Sequence, residues 1–281
     1  MNTLFATEHA MDADLERRFG GLERLYGVPG AAAIRAAHVA VVGIGGVGSW
    51  AVEALARSGV GRITLIDFDQ VAESNINRQI HAETGTVGMA KVDAMAQRIA
   101  RINPHCVVHK VEEFATPDNW AGMVTAAAQP FDAVIDACDQ VKTKTAMAAW
   151  ARAQKSNIYI TAGAAGGKRL AHLVDIADLS ETTHDPLLAK LRHNLRRAHG
   201  APQGAKTGSD KNGSEKTKRI GIACVYSREA VAPPDTSYAV EGDADSSLNC
   251  SGYGSVVSVT ASFGLCAAGW VLDALTRPTA P

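Results

Sequence analysis

A short apolar run, His38–Gly43 (HVAVVG), passes directly into Gly43-Ile-Gly45-Gly46-Val-Gly48 and then into an alanine-rich stretch, Ser49–Ser58. A valine-rich run of this length reads as a buried parallel strand, and the alanine-rich stretch as a helix. Arg62–Asp67 (RITLID) supplies the next strand, so residues 38–67 form one βαβ unit with a right-handed crossover. Within it Gly43, Gly45 and Gly48 fit the G-x-G-x-x-G pattern, with Gly46 as an extra glycine, and Asp67 stands nineteen residues beyond Gly48. Glycines let a phosphate approach the backbone, amides at a helix N-terminus favour its charge, and a carboxylate at the second strand's end accepts ribose hydroxyls. A bound nucleotide follows. An NAD site would look the same at this point.

The remaining pattern extends the unit. Strands are expected at Cys106–Val111, Phe131–Asp136 and Asn157–Thr161, with helices at Lys91–Ile102 and Lys142–Gln154 between them. Such alternation predicts an α/β fold: a doubly wound, mostly parallel, Rossmann-like sheet. A helical segment over 12–37, interrupted at Gly27-Val-Pro29-Gly30, precedes it. After Gly167 the pattern changes: an antiparallel strand at Leu170–Ile176, a helix at Asp185–Arg197, and polar stretches at 198–219 and Val240–Ser251 that read as a partly mobile C-terminal portion. The expectation is a single domain over 12–281, divided into an N-terminal helical segment (12–37), a nucleotide-binding core (38–167) and a substrate and dimer portion (168–281).

Composition narrows the function classes. Among 281 residues, 28 Lys and Arg face 29 Asp and Glu, so nucleic-acid contact needs a local patch rather than a global field. One exists: nine Lys or Arg (190, 192, 196, 197, 206, 211, 216, 218, 219) lie within 190–219 against Asp210 and Glu215 alone. Either a solvated loop or a phosphate-binding surface carries such charge. The five cysteines (106, 138, 224, 250, 266) are odd in number and form no CxxC pair, which predicts a reduced compartment and no structural zinc. The N-terminus shows no basic segment followed by an apolar one, and the expected location is cytoplasmic. Tyr253–Leu272 is uncharged and long enough to span a bilayer, yet its glycines and hydroxyls read it as a buried helix, so no stable membrane insertion is expected.

Around the strand ends the sequence offers Asp67 and Asp69, then Asn75, Asn77, Arg78 and Gln79, then Lys91, then Asp136 and Asp139. A hydride-transfer site has no use for this set. Arg78 and Lys91 suit a departing diphosphate, and an Asp suits a magnesium ion that bridges phosphates. Together they fit attack by a carboxylate on the α-phosphorus of ATP.

At these residues the chain resembles a family. GIGGVGSW, LIDFDQV, SNINRQ, Gly88-Met-Ala-Lys91 and DACD resemble the ubiquitin-activating-like adenylation fold. More closely, RFGG at 18–21, RLYG at 24–27, Arg101-Ile-Asn-Pro104, Thr161-Ala-Gly-Ala-Ala-Gly166, Cys224-Val-Tyr-Ser227-Arg-Glu229 and Cys250-Ser-Gly-Tyr-Gly254 resemble the tRNA threonylcarbamoyladenosine dehydratases. The resemblance implies that Gly43, Gly45, Gly46 and Gly48 line phosphates and that Asp67 binds ribose. It also implies that Asn77, Arg78 and Lys91 contact the developing charge, that Asp139 holds magnesium, and that Arg18 reaches into a partner subunit's site in a homodimer. The substrate would be tRNA carrying threonylcarbamoyladenosine, with the basic stretch on its backbone.

Against that stands an adenylyltransferase for a small sulfur-carrier protein, in which Cys250 would be the acceptor thiol. The missing CxxC pairs and the lack of a downstream sulfurtransferase domain weigh against this alternative. The sequence leaves open a chemical role for Cys250 or Cys224, a bound monovalent cation, and docking of a cysteine desulfurase or its sulfur acceptor.

Overall fold

The computed structural model describes residues 14–127, 129–154, 158–203, 218–233 and 253–277. Its first helix, α1 (Leu15–Ala36), starts where the Asp14 carboxylate accepts a hydrogen bond from the Arg17 amide (3.0 Å). Gly27, at φ 74°, kinks α1 at the expected break, but the helix resumes through Pro29, which sits at the start of its second piece.

Seven strands follow: β1 (His38–Val42), β2 (Arg62–Ile66), β3 (Val107–Val111), β4 (Ala133–Asp136), β5 (Ile158–Ala162), β6 (Val174–Asp178) and β7 (Ala223–Ser227). Their order in one sheet is β3-β2-β1-β4-β5-β7-β6, parallel throughout except for β6, which runs antiparallel to β7. The helices between them are α2 (Gly48–Arg57), α3 (Lys91–Ile102), α4 (Trp120–Ala126), α5 (Val141–Ala153) and α6 (Pro186–Ala198), with α7 (Val257–Thr276) last. The chain winds from β1 outward through β2 and β3, then returns to start again at β4, so a crevice opens between the C-terminal ends of β1 and β4.

Strand alternation sends side chains to two cores. Val39, Val41, Ile63, Leu65 and Ile135 pack on α2, α3 and α7; Ala40, Val42, Val134 and Tyr159 pack on α5 and α6. Helix α7 buries Val259, Phe263, Ala267 and Val271 in the first core while Leu265 stays 48% exposed. It is the one helix among the described residues long and apolar enough to cross a membrane, and here one of its faces is core.

Three features depart from the sequence reading. The antiparallel strand begins at Val174, because Ala171–Leu173 form a 3-10 turn and the Glu229 carboxylate holds the Arg169 and Leu170 amides. Helix α4 and strand β7 carry no assignment in that reading. The Val240–Ser251 stretch and much of 198–219 lie outside the described residues.

Gly264 marks the tightest helix contact. A Cβ there would press on the Val47 carbonyl and stand 2.8 Å from both the Ala51 amide and Trp50 Cβ of α2. Gly264→Ala is therefore expected to destabilise the protein by about 1–3 kcal/mol or more. Gly269→Ala, with nothing within 4 Å of the added atom, is expected to be neutral or mildly stabilising. Urea unfolding of the two variants checks the contrast.

Candidate active site

The glycine turn is held by contacts that admit no side chain. Gly43 takes φ 85° and a Cβ on it would meet the Ala137 carbonyl at 2.9 Å. A Cβ on Gly48 would run into the Gly43 carbonyl oxygen. Gly45 differs, because nothing lies within 4 Å of its would-be Cβ. The N-cap of α2 is Val47, which offers no side-chain bond; the Ser49 amide is taken by the Gly45 carbonyl (3.0 Å), and the N-terminus of α2 carries no side-chain cap. Open space at Gly45 beside uncapped amides is a cradle that fits a phosphate.

Asp67 closes the other side. Its Oδ2 accepts from the Ile44 amide (2.5 Å) and its Oδ1 from the Asp69 amide (2.8 Å), which ties the end of β2 to the glycine turn. Burial raises the Asp67 pKa, partly offset by the Lys91 charge nearby. Lys91, the first residue of α3, is buried and donates to Asp69 Oδ2 at 2.7 Å, while the Asp69 side chain stays half exposed. The Lys91 amide also donates to the Asp69 carbonyl, so charge and backbone fix this lysine at the edge of the crevice.

The segment Asn75–Gln79 lies across the turn. Asn75 Oδ1 accepts from the Ala72 amide (3.1 Å) and so shapes the segment. Arg78 Cδ lies 3.5 Å from the would-be Cβ of Gly46, and Arg78 Nη1 donates to Asn77 Oδ1 (2.9 Å) and the Ser74 carbonyl (2.6 Å). Trp50 Nε1 donates to the Arg78 carbonyl (2.9 Å), and Asn77 Nδ2 to the Ser255 carbonyl (3.0 Å). Gln79 is buried, and its Oε1 has no partner among the described residues.

Across the crevice, Asp139 is exposed on the turn after β4. Asp136 corrects the expectation of cofactor contact. It is fully buried, and its carboxylate is taken by Lys144 Nζ (2.9 Å), the Tyr159 hydroxyl (2.8 Å) and the Thr161 hydroxyl (2.7 Å). The described residues contain no cluster of three metal-ligating side chains, and Asp139 is the exposed carboxylate on this turn.

Two further expectations fall elsewhere. Arg18 is not brought to the glycine turn of its own chain: Nη1 donates to the Ile102 carbonyl (2.7 Å) at the end of α3, the opposite end of the sheet. Arg192 is no surface cation, because its guanidinium donates to the Leu179 and Thr182 carbonyls. Cys250 lies outside the described residues. Burial pushes the Cys106 thiol up to about 12 and raises those of Cys138, Cys224 and Cys266, which leaves them poor nucleophiles.

The sequence reading also missed buried polar groups. Glu53 (4% exposed) holds Arg98 by two bonds, and His81 (2% exposed) has no partner on either ring nitrogen among the described residues. Lys144 and Lys168 are buried as well. The one available signal was position, since Lys144 follows the DACD turn and His81 follows the SNINRQ segment.

A glycine turn at the switch point of a doubly wound sheet, with Arg78 against Gly46 and Asp67 bonded to Ile44, defines a nucleotide-binding α/β protein. The chain belongs to the ThiF family, whose model matches residues 21–281. It is 42% identical to the tRNA threonylcarbamoyladenosine dehydratase of Haemophilus influenzae, over 93% of this chain and 94% of that one. The structure of the Escherichia coli tRNA N6-threonylcarbamoyladenosine dehydratase in complex with ATP superposes with a TM-score of 0.78 at 41% identity, covering 92% of this chain and 94% of that one. Similarity to the molybdopterin-synthase adenylyltransferase of Salmonella typhimurium is 37% over a shorter match, 41% of this chain.

His81 gives the protein's stability a pH signature. Burial, with Lys91 and Arg98 nearby, lowers its pKa to about 4, whereas an unfolded imidazole titrates near 6.5. Between those values the unfolded state binds the extra proton, so His81 makes the protein lose stability as pH falls through that window. The slope is at most about 1.4 kcal/mol per unit. Urea unfolding between pH 6.5 and 4.5 is expected to show a shallower loss for His81→Leu than for the unaltered protein, and parallel slopes would refute the role.

Proposed function

We propose that this chain catalyses the ATP-dependent dehydration of threonylcarbamoyladenosine in tRNA, next to the anticodon, to its cyclic form. The observation that carries this reading is the likeness to the dehydratases along nearly the whole of both chains, in sequence and in fold. The threonyl carboxylate attacks the α-phosphorus of ATP, pyrophosphate leaves, and the resulting acyl-adenylate is attacked by the carbamoyl group of the same side chain. AMP departs with the carboxylate oxygen and a proton is released, for a net loss of water. Ring closure within one side chain needs mainly positioning, since effective molarities reach about 10^5 M or more.

The residues divide the work. The glycine turn and the α2 amides hold phosphates, and Asp67 lies where a ribose would meet it. Arg78 and Lys91 offer positive charge to the departing pyrophosphate. Magnesium, held by Asp139 and the phosphates, would supply further charge neutralisation. The reading includes a homodimer, supported by exposed apolar residues on α1 (Leu25, 72%; Val28, 63%) and α7 (Leu265, 48%), and a cytoplasmic location, where tRNA is modified. Dimer formation would be Arg18's route to an active site.

For tRNA contact, Lys190, His193 and Arg197 lie exposed along one face of α6, and Lys142 is exposed on the first turn of α5, which packs beside it. Lys218 and Arg219 are exposed at the foot of the same region. Removing Lys190 and Arg197 together is expected to raise the KM for tRNA several-fold and to flatten its salt dependence, because each phosphate contact adds to the salt slope. Initial rates at graded potassium chloride check this.

Purified protein with ATP, magnesium and tRNA bearing threonylcarbamoyladenosine, followed by nucleoside mass spectrometry, tests the main reading. The expected result is a nucleoside lighter by one water with AMP formed, and loss of both in Arg78→Ala and Asp139→Ala. An unchanged nucleoside, alongside pyrophosphate exchange driven by a sulfur-carrier protein, would assign the chain to the adenylyltransferases instead.

A further inference from the structure

We propose that Lys144, through its buried ion pair with Asp136, is a positioning residue for adenylation that sets the turn bearing Asp139 against the glycine turn. The assay rests on the dehydratase reading given above.

Both partners are completely buried: Lys144 and Asp136 side chains are 0% exposed, with Nζ 2.9 Å from Oδ1. Lys144 places its three donor hydrogens on Asp136 Oδ1, the Asp136 carbonyl (3.3 Å) and the Thr161 hydroxyl (2.9 Å). Asp136 Oδ2 in turn accepts from the Tyr159 and Thr161 hydroxyls of β5, and Oδ1 also accepts from the Cys138 amide (3.2 Å). The network is saturated. Burial by itself works against the Lys144 ammonium, but the Asp136 charge outweighs it and raises the Lys144 pKa above its ordinary value.

Stability alone does not account for such a pair. Removing two charges from water costs several kcal/mol per ion, and a well-packed apolar substitute is often as stable. Its distinctive property is where it sits. Asp136 is the last residue of β4, Lys144 lies in the first turns of α5, and only Ala137–Thr143 separate them. The pair therefore closes both ends of the turn that presents Asp139.

The same turn abuts the phosphate cradle. The Ala137 amide donates to the Val42 carbonyl (2.8 Å), and a Cβ on Gly43 would meet the Ala137 carbonyl at 2.9 Å. Ala137 Cβ lies 3.3 Å from the would-be Cβ of Gly48. Because this turn is bonded to β1 and lies against both glycines, a shift of Ala137–Asp139 displaces Asp139 and disturbs the glycine turn. Displacement of about 1 Å at a reacting centre is enough to cost on the order of a hundredfold in rate.

The test is Asp136→Asn combined with Lys144→Met, which removes both charges and keeps a hydrogen-bonding group for Tyr159 and Thr161. Lys144→Met alone leaves a buried carboxylate without its cation and is expected to lower the melting temperature sharply. The double variant is expected to regain most of that loss. Its turnover at saturating ATP and tRNA is nevertheless expected to fall about tenfold or more, with the KM for ATP moving less than about threefold.

Lys144→Arg, which keeps the charge but changes its reach, is expected to give an intermediate rate. A double variant with unaltered turnover, or with the loss confined to KM, would overturn the proposal. Should the double variant fail to fold, Thr161→Val carries the same comparison, because it removes a bond from each partner and no charge. Unaltered protein assayed in parallel separates the two levels: its silence would refute the dehydratase reading, whereas active protein with equally active variants would refute only the positioning role.

Discussion

The carbonyl oxygen of Gly43 leaves no room for a side chain on Gly48, and the rest of the site depends on that exclusion. Because β1 ends and α2 begins within this one contact, the α2 amides arrive at the crevice at close quarters. The turn after β4 then packs directly on Gly43 through Ala137, and Gly264 of α7 fits against the first residues of α2 from behind. Phosphate cradle, β4 turn and C-terminal helix are thus assembled around a backbone that only glycine permits.

Four aspartates stand at the strand ends, and their surroundings give them four roles. Asp67 spends its oxygens on the Ile44 and Asp69 amides and holds the glycine turn to β2. Asp69 balances Lys91 at the rim. Asp136 is sealed beneath the turn with Lys144. Asp139 lies exposed on the turn that follows Asp136 and makes no ion pair among the described residues.

Much of this was legible in the sequence where periodicity and local spacing carry the information. The Gly43–Gly48 turn with its flanking β1 and α2, and helix Lys91–Ile102, follow from apolar runs and glycine placement. Strand β7 was harder, because five residues between two polar stretches show no alternation long enough to read. The edge strand β6 starts late because the Glu229 side chain, some sixty residues away in sequence, claims two of the amides ahead of it. Asp136 and Asp139 sit three residues apart in one turn, and spacing gives no means of telling which points into the core. Arg18 and Arg192 likewise read as available cations until their carbonyl partners are seen.

By itself the sequence determined the architecture and the chemical class: a βαβ unit with a phosphate turn, an acidic second strand end, and an Arg–Lys–Asp set in chain order. Local steric rules and hydrophobic periodicity suffice for that, since they act over a few residues. The tertiary structure decided which charges are available to a ligand and which are structural. Availability depends on desolvation and on partners brought from distant segments, such as Thr161 for Lys144, Ser255 for Asn77 and Ile102 for Arg18. Those are properties of packed space, and no spacing along the chain encodes them directly.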